Sequence, residues 1–225
     1  MVIERCGAAF SSLCYSMELL PGCIAVVGGN HQYTGAPYFA ARSALSAGSD
    51  LSHVICSPGA AVVIKGYSPD LIVHPKLGNP KPDPDANKYE SEQMAMLLES
   101  KKWARRATAL VIGPGLGRED DTVVPATAVL LDAAQRRQPI VIDADGIGLV
   151  THNNEVVDAL RGHSWAVLTP NVNEQRRLCA RFLGKKYDGS AGTPTAAPSS
   201  RPSIEDLKEL ADVLGGPMVL AKGLH

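Results

Sequence analysis

The sequence predicts an α/β protein in which a mostly parallel sheet lies between two layers of helices. Short runs of Val, Ile and Leu alternate with stretches of helical composition over most of the 225 residues. The runs are continuous, so the strands are expected to be buried on both faces. Three of them end in polar loops, VIGPGLGRED, VIDADGIG and VLTPNVNE. Because the carboxyl ends of parallel strands meet at one edge of a sheet, these loops predict a shared ligand crevice.

Composition argues against several classes of function. The chain is 45% apolar with a net charge of -1, so it has no basic excess for binding nucleic acid or an anionic membrane. No apolar run reaches the roughly 20 residues of a membrane span. The five cysteines lie far apart without metal-ligand spacing, which favours free thiols in a reducing compartment. No targeting pattern is present, so a cytoplasmic location is expected, with a mitochondrial one as the alternative.

The first predicted elements are a strand, CIAVVGG, and a helix within residues 33–48. Thr34 or Gly35 is suited to cap this helix, and Gly48 is suited to the left-handed position after its end. Three short extended or mixed segments follow at 51–56, 60–65 and 70–75. A proline-rich surface loop at 78–88 then leads into the helix YESEQMAMLLES and the strand ATALVIG.

Strands and helices also alternate in the second half. A long helix is predicted from about Thr122 to Arg137, followed by the strand PIVID, a short helix, the strand AVLT and a helix carrying EQRRLCARFL. A low-complexity insertion at 184–203 precedes the capped helix IEDLKELADVLGG and a last strand, PMVLAKG. The predicted organisation is a divergent segment at 1–22 and one α/β domain at 23–225.

Two of the strand-end loops can be interpreted in more than one way. In GPGLGRED, Gly113, Gly115 and Gly117 allow a ligand to approach the backbone closely, but they also suit a tight turn. In DADG, Asp143 and Asp145 are candidates for a Mg²⁺ site or for accepting a sugar hydroxyl. Alternatively, Asp145 caps the following helix while Asp143 accepts backbone hydrogen bonds.

The third loop, TPNVNEQRR, combines the signals of a helix start with two cations. Asn171 or Asn173 is suited to cap the helix, and Glu174 lies in its first turn. Arg176 or Arg177 is suited to pair with a phosphate. On its own, the loop is equally consistent with a well-formed helix start.

The histidines form no metal-binding pattern. His53 and His74 lie inside strand-like runs and are interpreted as core or edge histidines rather than ligands. His31, Tyr33 and Thr34 follow the glycines of the first strand, so they are expected at the edge that carries the loops. The sequence contains no GxSxG elbow or Cys/His pairing that would indicate a covalent hydrolase.

Taken in order, VVGG, YTGAPYFAA, VIGPGLGR, VIDADG, VLTPN and the terminal KG resemble the ATP-dependent (S)-NAD(P)H-hydrate dehydratase family. The resemblance runs from about Ile24 to Gly223, and YTGAPYFAA and GPGLGR are its most specific segments. It implies a ribokinase-like three-layer α/β/α fold with ATP and Mg²⁺ as cofactors. It also implies a reaction in which ATP phosphorylates the hydroxyl of hydrated NADH or NADPH, after which phosphate elimination restores the normal dinucleotide.

The resemblance further implies positions for the site. The substrate-binding residues would be Gly115, Gly117, Tyr33, Thr34, Gly35, Asn171, Val172, Asn173, Glu174, Gln175, Arg176 and Arg177. The ATP-binding residues, which match the start of a KGxxD segment, would be Lys222, Gly223, Leu224 and His225. Asp143 and Asp145 would give polar or Mg²⁺ support. Gln175 stands where the family commonly has Phe, so the ring that would stack on a ligand is missing.

The family's GxGD motif, which supplies the catalytic base and an anion hole, does not occur in the 225 residues. No catalytic residue is therefore assigned, and turnover is expected to be negligible because a general base contributes on the order of 100- to 10,000-fold in rate. The domain is expected to be truncated at its C-terminus, with an exposed sheet edge and apolar face.

The alternatives are a ribokinase-like kinase for a vitamin or sugar and a non-catalytic remnant that binds nucleotide or an intact subunit. The oligomeric state is open, with a homo-oligomer among the options. No nucleic-acid or membrane partner is expected.

Overall fold

The computed structural model describes residues 22–80, 83–185, 201–220 and 222. Almost all of the predicted N-terminal segment, and residues 186–200 of the predicted insertion, therefore lie outside the described residues.

The strands of the described part form one parallel sheet. They are β1 (Cys23–Val27), β2 (Leu51–Cys56), β3 (Ile72–Pro75), β4 (Ala109–Ile112), β5 (Ile140–Ile142), β6 (Ala166–Leu168) and β7 (Met218–Val219). The helices are α1 (Gly35–Ser46), α2 (Pro58–Tyr67), α3 (Ala86–Arg106), α4 (Asp120–Gln135), α5 (Asp145–His152), α6 (Asn154–Leu160), α7 (Val172–Leu183) and α8 (Ile204–Leu214). The predicted parallel α/β architecture is confirmed. None of these helices has the length and apolar character needed to cross a membrane.

The strand order indicates where a ligand crevice would lie in the sheet. The order is β3-β2-β1-β4-β5-β6-β7, so the chain moves outward in one direction from β1 to β3 and in the other from β4 to β7. The loops that follow β1 and β4 therefore diverge, and ligands of open parallel sheets bind at such a switch point. The loops singled out in the sequence follow β1, β4, β5 and β6 and so lie at the same edge.

One face of the sheet is covered unevenly. Val26 on β1 and Val54 on β2 are fully buried beneath α1 and α2. The register continues this row of side chains across the sheet through Val141 and Val167 to Met218. Val141 and Val167 are only half-buried, and Met218 is 39% exposed. Within the described residues, the side chains of this row therefore become more exposed toward β7, the outermost strand.

Two predictions of local structure were wrong or incomplete. The stretch at 60–65 lies within helix α2, where the Ser57 hydroxyl accepts a hydrogen bond from the Ala60 N–H and Pro58 is the first helical residue. These two start signals outweigh the β-branched residues that follow. Helix α6, which was not predicted, begins where Asn153 caps its first turn. By contrast, Gly48 follows the end of α1 with a φ of 104°, as predicted.

The two strand histidines form a buried pair. His53 Nδ1 and His74 Nε2 lie 2.8 Å apart, and both rings stack against Trp103 of α3. Burial lowers the pKa of both, and it brings the pKa of His74 to about 4 with a smaller contribution from the charge of His53. Their interpretation as satisfied core histidines is confirmed.

Candidate functional site

The loops after β1, β4 and β5 pack closely together along four glycines, which we call the glycine seam: Gly28, Gly113, Gly115 and Gly117. The N–H groups of Gly29 and Asn30 both donate to the Gly115 carbonyl, at 3.0 and 2.9 Å. A Cβ on Gly28 would overlap the Pro114 carbonyl oxygen, and one on Gly113 would overlap the Asp143 carbonyl oxygen. GPGLG therefore forms a tight turn, as one of the two interpretations predicted. This turn also brings the loops after β1 and β4 into contact.

The loop at 30–35 lies against this seam. The Asn30 side-chain oxygen accepts hydrogen bonds from the N–H groups of Gln32 and Tyr33, each at 2.9 Å. A Cβ on Gly115 would lie 2.6 Å from the Tyr33 carbonyl oxygen. The Thr34 hydroxyl is hydrogen-bonded to that of Tyr67. The structure thus brings Tyr33, Thr34 and Gly115 together as the sequence predicted, around the buried Asn30 that sequence reasoning missed.

The two aspartates of DADG connect three neighbouring loops, and we call them the carboxylate clamp. Asp143 Oδ1 accepts hydrogen bonds from the Thr169 hydroxyl at 2.7 Å and from the Lys222 ammonium at 2.5 Å. Asp145 Oδ2 accepts a hydrogen bond from the Gly117 N–H at 3.0 Å. The prediction that Asp145 caps α5 was wrong: Asp145 is the first residue of that helix, and its carboxylate reaches the β4 loop instead.

The charge of Asp143 is stabilised despite its partial burial. Burial raises the pKa of the carboxyl group, but the hydrogen bonds from Lys222 and Thr169, the Lys222 charge and the Ala144 N–H together lower it below its ordinary value. Asp143 is therefore ionised at neutral pH, and it holds the only lysine ammonium that the described part places on this clamp.

Ala144, between the two aspartates, has an unusual backbone conformation. Its φ is 49° and its ψ is -124°, values that are favourable for glycine and strained for a residue with a Cβ. The Gly146 N–H donates to the Asp143 carbonyl across it at 2.9 Å, which closes a tight turn. The turn is thus held in a strained shape while its aspartates bind the adjacent loops.

The segment from Asn171 to Arg177 begins helix α7 with a complete capping box. The Asn171 side chain accepts from the N–H groups of Asn173 and Glu174, and Glu174 accepts from the Asn171 N–H. Asn171 is therefore the cap, rather than Asn173. Glu174 is buried in this role, whereas Arg177 is exposed at the surface of the site.

Gln175 joins the β6 loop to the residue beyond β7. Its side chain is almost completely buried, and its amide donates to the Pro170 carbonyl at 3.0 Å and to the Lys222 carbonyl at 3.5 Å. Glutamine at this position thus braces two loops in place of an aromatic ring. The other predicted ATP-binding residues, Gly223, Leu224 and His225, lie outside the described residues.

A cleft of about 630 Å³ opens beside the clamp. It is lined by Gly117, Arg118, Val123, Thr127, Asp145, Gly148, Leu149, His152, Asn153 and Arg177. The volume lies within the range of small-molecule sites, on the order of 300–1,000 Å³. Of the residues predicted from sequence, the cleft collects Gly117, Asp145 and Arg177. It adds Arg118, which lies in the GPGLGR segment but was not predicted as a site residue, and His152 and Asn153, which no sequence motif indicated.

A sequence model of the NAD(P)H-hydrate dehydratase family matches residues 24–199, a stretch that contains the glycine seam, the carboxylate clamp and α7. The chain belongs to this family. It is 42% identical over 207 residues to the ATP-dependent (S)-NAD(P)H-hydrate dehydratase of Physcomitrium patens and 45% identical over 202 residues to that of Vitis vinifera. Both matches cover 90% of this chain, but they cover 58% and 53% of the relatives. This dehydratase-family chain thus spans little more than half of their length.

Solved structures show the same fold. A ribokinase-like superfamily protein from Enterococcus faecalis superposes with a TM-score of 0.61 at 20% identity, over 90% of this chain and 57% of its own. The ADP/ATP-dependent NAD(P)H-hydrate dehydratase of Bacillus subtilis, co-crystallised with ATP/Mg²⁺ and soaked with CoA, gives a TM-score of 0.52 at 16% identity over 90% and 60%. The dehydratase-family chain therefore has a ribokinase-like fold, as predicted.

The carboxylate clamp does not fit a magnesium cage. Mg²⁺ favours carboxylate oxygens that are free to complete an octahedron with phosphates and water. In this chain, one oxygen of Asp143 is held by an ammonium and a hydroxyl, and one oxygen of Asp145 is held by a backbone N–H. Among the described residues, no three His, Cys, Asp or Glu side chains are grouped closely enough to hold a metal ion.

Proposed function

We propose that this chain forms the substrate-binding part of an ATP-dependent (S)-NAD(P)H-hydrate dehydratase, with hydrated NADH or NADPH and ATP as substrates. The proposal rests on the position of four loops in the sheet together with the identity to known relatives. The loops after β1, β4, β5 and β6 meet at the switch point of the sheet, in a chain 42–45% identical to relatives of that name. Dehydration by this route is a carbon–oxygen lyase reaction driven by ATP.

Some of the proposed substrate-binding residues contact the substrate, and others support the loops that do. We propose that Tyr33, Thr34, Gly35, Gly115, Gly117 and the stretch 171–177 form the substrate edge. Glu174 and Gln175 are buried, so they act through the shape of the loop. Arg177 and the exposed Asn171 and Asn173 are available for direct contact.

The nucleotide side of the site begins at Lys222. Its ammonium is positioned by Asp143, two strands away in the sheet. A lysine ammonium has three N–H donors, so those that do not bind Asp143 can donate to phosphate oxygens. Bound Mg²⁺ would screen phosphate charge during transfer. The carboxylate clamp is not arranged to hold the ion, because Lys222, Thr169 and the Gly117 N–H already engage its oxygens. We further propose that the 225 residues alone do not turn over substrate, since they contain no GxGD motif.

The experiment combines binding and turnover on the 225-residue chain. The chain is titrated with hydrated NADH by calorimetry and then incubated with hydrated NADH, ATP and Mg²⁺ while NADH absorbance is followed. We expect saturable binding without recovery of absorbance. ATP-dependent recovery would contradict the proposed lack of turnover. Binding of hydroxylated vitamins or sugars in preference to hydrated NADH would replace the dehydratase assignment with a kinase.

A further inference from the structure

The outer surface of α1 and α2, on the side of these helices that faces away from the sheet, is poor in charge. Helix α1 has one charged residue, Arg42, and its guanidinium pairs with Asp70 at 3.4 Å. Helix α2 also has one, Lys65. By contrast, α8 has a similar length and five charged residues. Helices that cover a sheet normally turn charged residues to water, so this surface is suited to contact with another apolar surface.

Exposed apolar side chains occupy this surface, and we call them the α1–α2 patch: Phe39, Val62, Val63 and Tyr67. Phe39 is 67% exposed and Val62 is 77% exposed. The residues of α2 that pack on the sheet are on its other side: Ala60, Ala61 and Ile64. The Tyr38 ring connects the two helices, because its centre lies 5.4 Å from that of Phe39 and 5.1 Å from that of Tyr67. Val63 lies one helical turn before Tyr67, so the patch is contiguous.

The size of the patch matches the apolar part of a stable protein interface. The four side chains together expose apolar surface on the order of 400 Å². Each partner in a standard-size interface buries about 800 Å², of which slightly more than half is apolar. Aromatic residues are enriched at such interfaces, and the patch contains Phe39 and Tyr67 with Tyr38 beside them. The patch is therefore large enough for a protein partner.

The lack of charge favours a second copy of this chain as that partner. In a two-fold symmetric contact each patch meets the same patch on the other copy, so an unpaired charge would be opposed by itself. No member of the patch is charged, and the nearby Arg42 is paired with Asp70. Nucleic acid or an anionic membrane would need a cluster of cations around the patch, but Lys65 is the only lysine of these two helices.

We propose that the α1–α2 patch is the contact surface of a homodimer in which a two-fold axis relates the copies. The surface is hollow beside the two valines, because no atom lies within 4 Å of a Cβ built on Gly66. The Phe39 ring of each copy packs on α2 of the other. The Thr34 hydroxyl is hydrogen-bonded to Tyr67, so the contact also borders the loop at 30–35. A homodimer through this surface requires no ligand, so it can exist whether or not the chain binds hydrated NADH.

The test measures the molar mass of the 225-residue chain by analytical ultracentrifugation from about 1 to 100 μM, because standard-size interfaces have dissociation constants of micromolar or below. We expect a dimer with twice the 23.7 kDa of one chain. Val62→Glu should weaken dimerisation at least tenfold, since the contact would bury an unpaired carboxylate from each copy. Phe39→Ala removes a ring without adding charge and should weaken dimerisation to a similar degree.

The matched control is Val124→Glu. This valine is 62% exposed on α4, outside the patch, so its replacement should leave the dimer unchanged. Circular dichroism establishes that each variant is folded before its mass is compared. A wild-type chain that stays monomeric at 100 μM would overturn the homodimer, as would equal dimerisation of Val62→Glu and Val124→Glu.

A further variant tests the other apolar surface of the described residues. Met218→Glu places a carboxylate on the partly exposed face of the sheet near β7. The proposed dimer should tolerate it. A dimer that Met218→Glu disrupts and Val62→Glu does not would show that the sheet face is the interface, and the assignment to the α1–α2 patch would be wrong.

Discussion

At the β1–β4 junction the loops are joined by backbone packing along the glycine seam, whereas at the β5–β7 side they are joined by the carboxylate clamp. The close contacts of the seam are formed mainly by backbone atoms and the Asn30 side chain, although the Gly117 N–H also donates to the Asp145 carboxylate. At Gly28 and Gly113 an added Cβ would overlap a backbone oxygen. The clamp depends on Asp143 and Asp145, each held by groups from other loops. We therefore expect side chains added along the glycine seam to destabilise the protein strongly, with little dependence on pH. Substitutions in the carboxylate clamp should destabilise it less, and the contribution of the clamp to stability should fall in acid.

The largest effect is expected at the seam. Gly113→Ala should destabilise the protein by more than about 4 kcal/mol, because its φ is 119° and the new Cβ would overlap the Asp143 carbonyl oxygen. Gly148→Ala is the matched control: it lies in α5 with open space around it and should gain roughly 0.5–1 kcal/mol. Urea unfolding followed by circular dichroism measures both. Equal stability of the two variants would show that the seam is not close-packed.

The buried histidine His74, which lies outside the site, should also make the stability of the protein depend on pH. His74 has a folded-state pKa of about 4 against about 6.5 when unfolded, so the unfolded state binds the proton more tightly. The contribution of neutral His74 to the free energy of unfolding is therefore fully present above pH 6.5. It falls by on the order of 3 kcal/mol as the pH drops toward 4. Unfolding free energies between pH 4 and 7 should show this slope, and His74→Gln should flatten it. An unchanged slope would assign the acid sensitivity elsewhere.

The clamp should contribute less because it is partly exposed. Asp143→Ala is expected to cost about 1–2 kcal/mol at pH 7, through loss of the Thr169 hydrogen bond and the Lys222 pair. The folded pKa of Asp143 is depressed, so its contribution is present above the unfolded pKa near 4 and is lost as pH falls through the lower folded pKa. Asp158→Ala, which removes an exposed surface pair, should change stability by less than about 0.5 kcal/mol. If both variants lose the same amount, the clamp is no stronger than a surface pair.

The smallest effect is expected between the two aspartates. Ala144→Gly should stabilise the protein by about 0.5–1 kcal/mol, because relief of strain at φ 49° exceeds the extra entropy that glycine loses on folding. Thermal unfolding measures the gain, and Ala159→Gly inside α6 serves as the control that should lose stability. A loss at position 144 would mean that the turn is unstrained.

Much of the fold could be predicted because its signals are local. Continuous apolar runs indicated the buried parallel strands, and the Asn171–Glu174 capping box marked the start of α7. The 60–65 segment was mispredicted because its β-branched composition concealed the stronger start signal at Ser57 and Pro58. Glycine spacing also indicated that the β4 loop is tight, although it did not show which loops it touches.

The sequence by itself determined the parallel α/β fold, the edge that carries the loops and the family. Only the tertiary structure decided that Asp145 holds the Gly117 N–H rather than capping a helix, that Asp143 binds Lys222, and that Gln175 is a buried brace. The partners of the two aspartates are separated by 28 and 79 residues, so no local pattern can specify them. Their pairing follows from the strand order, which brings distant loops to one edge of the sheet.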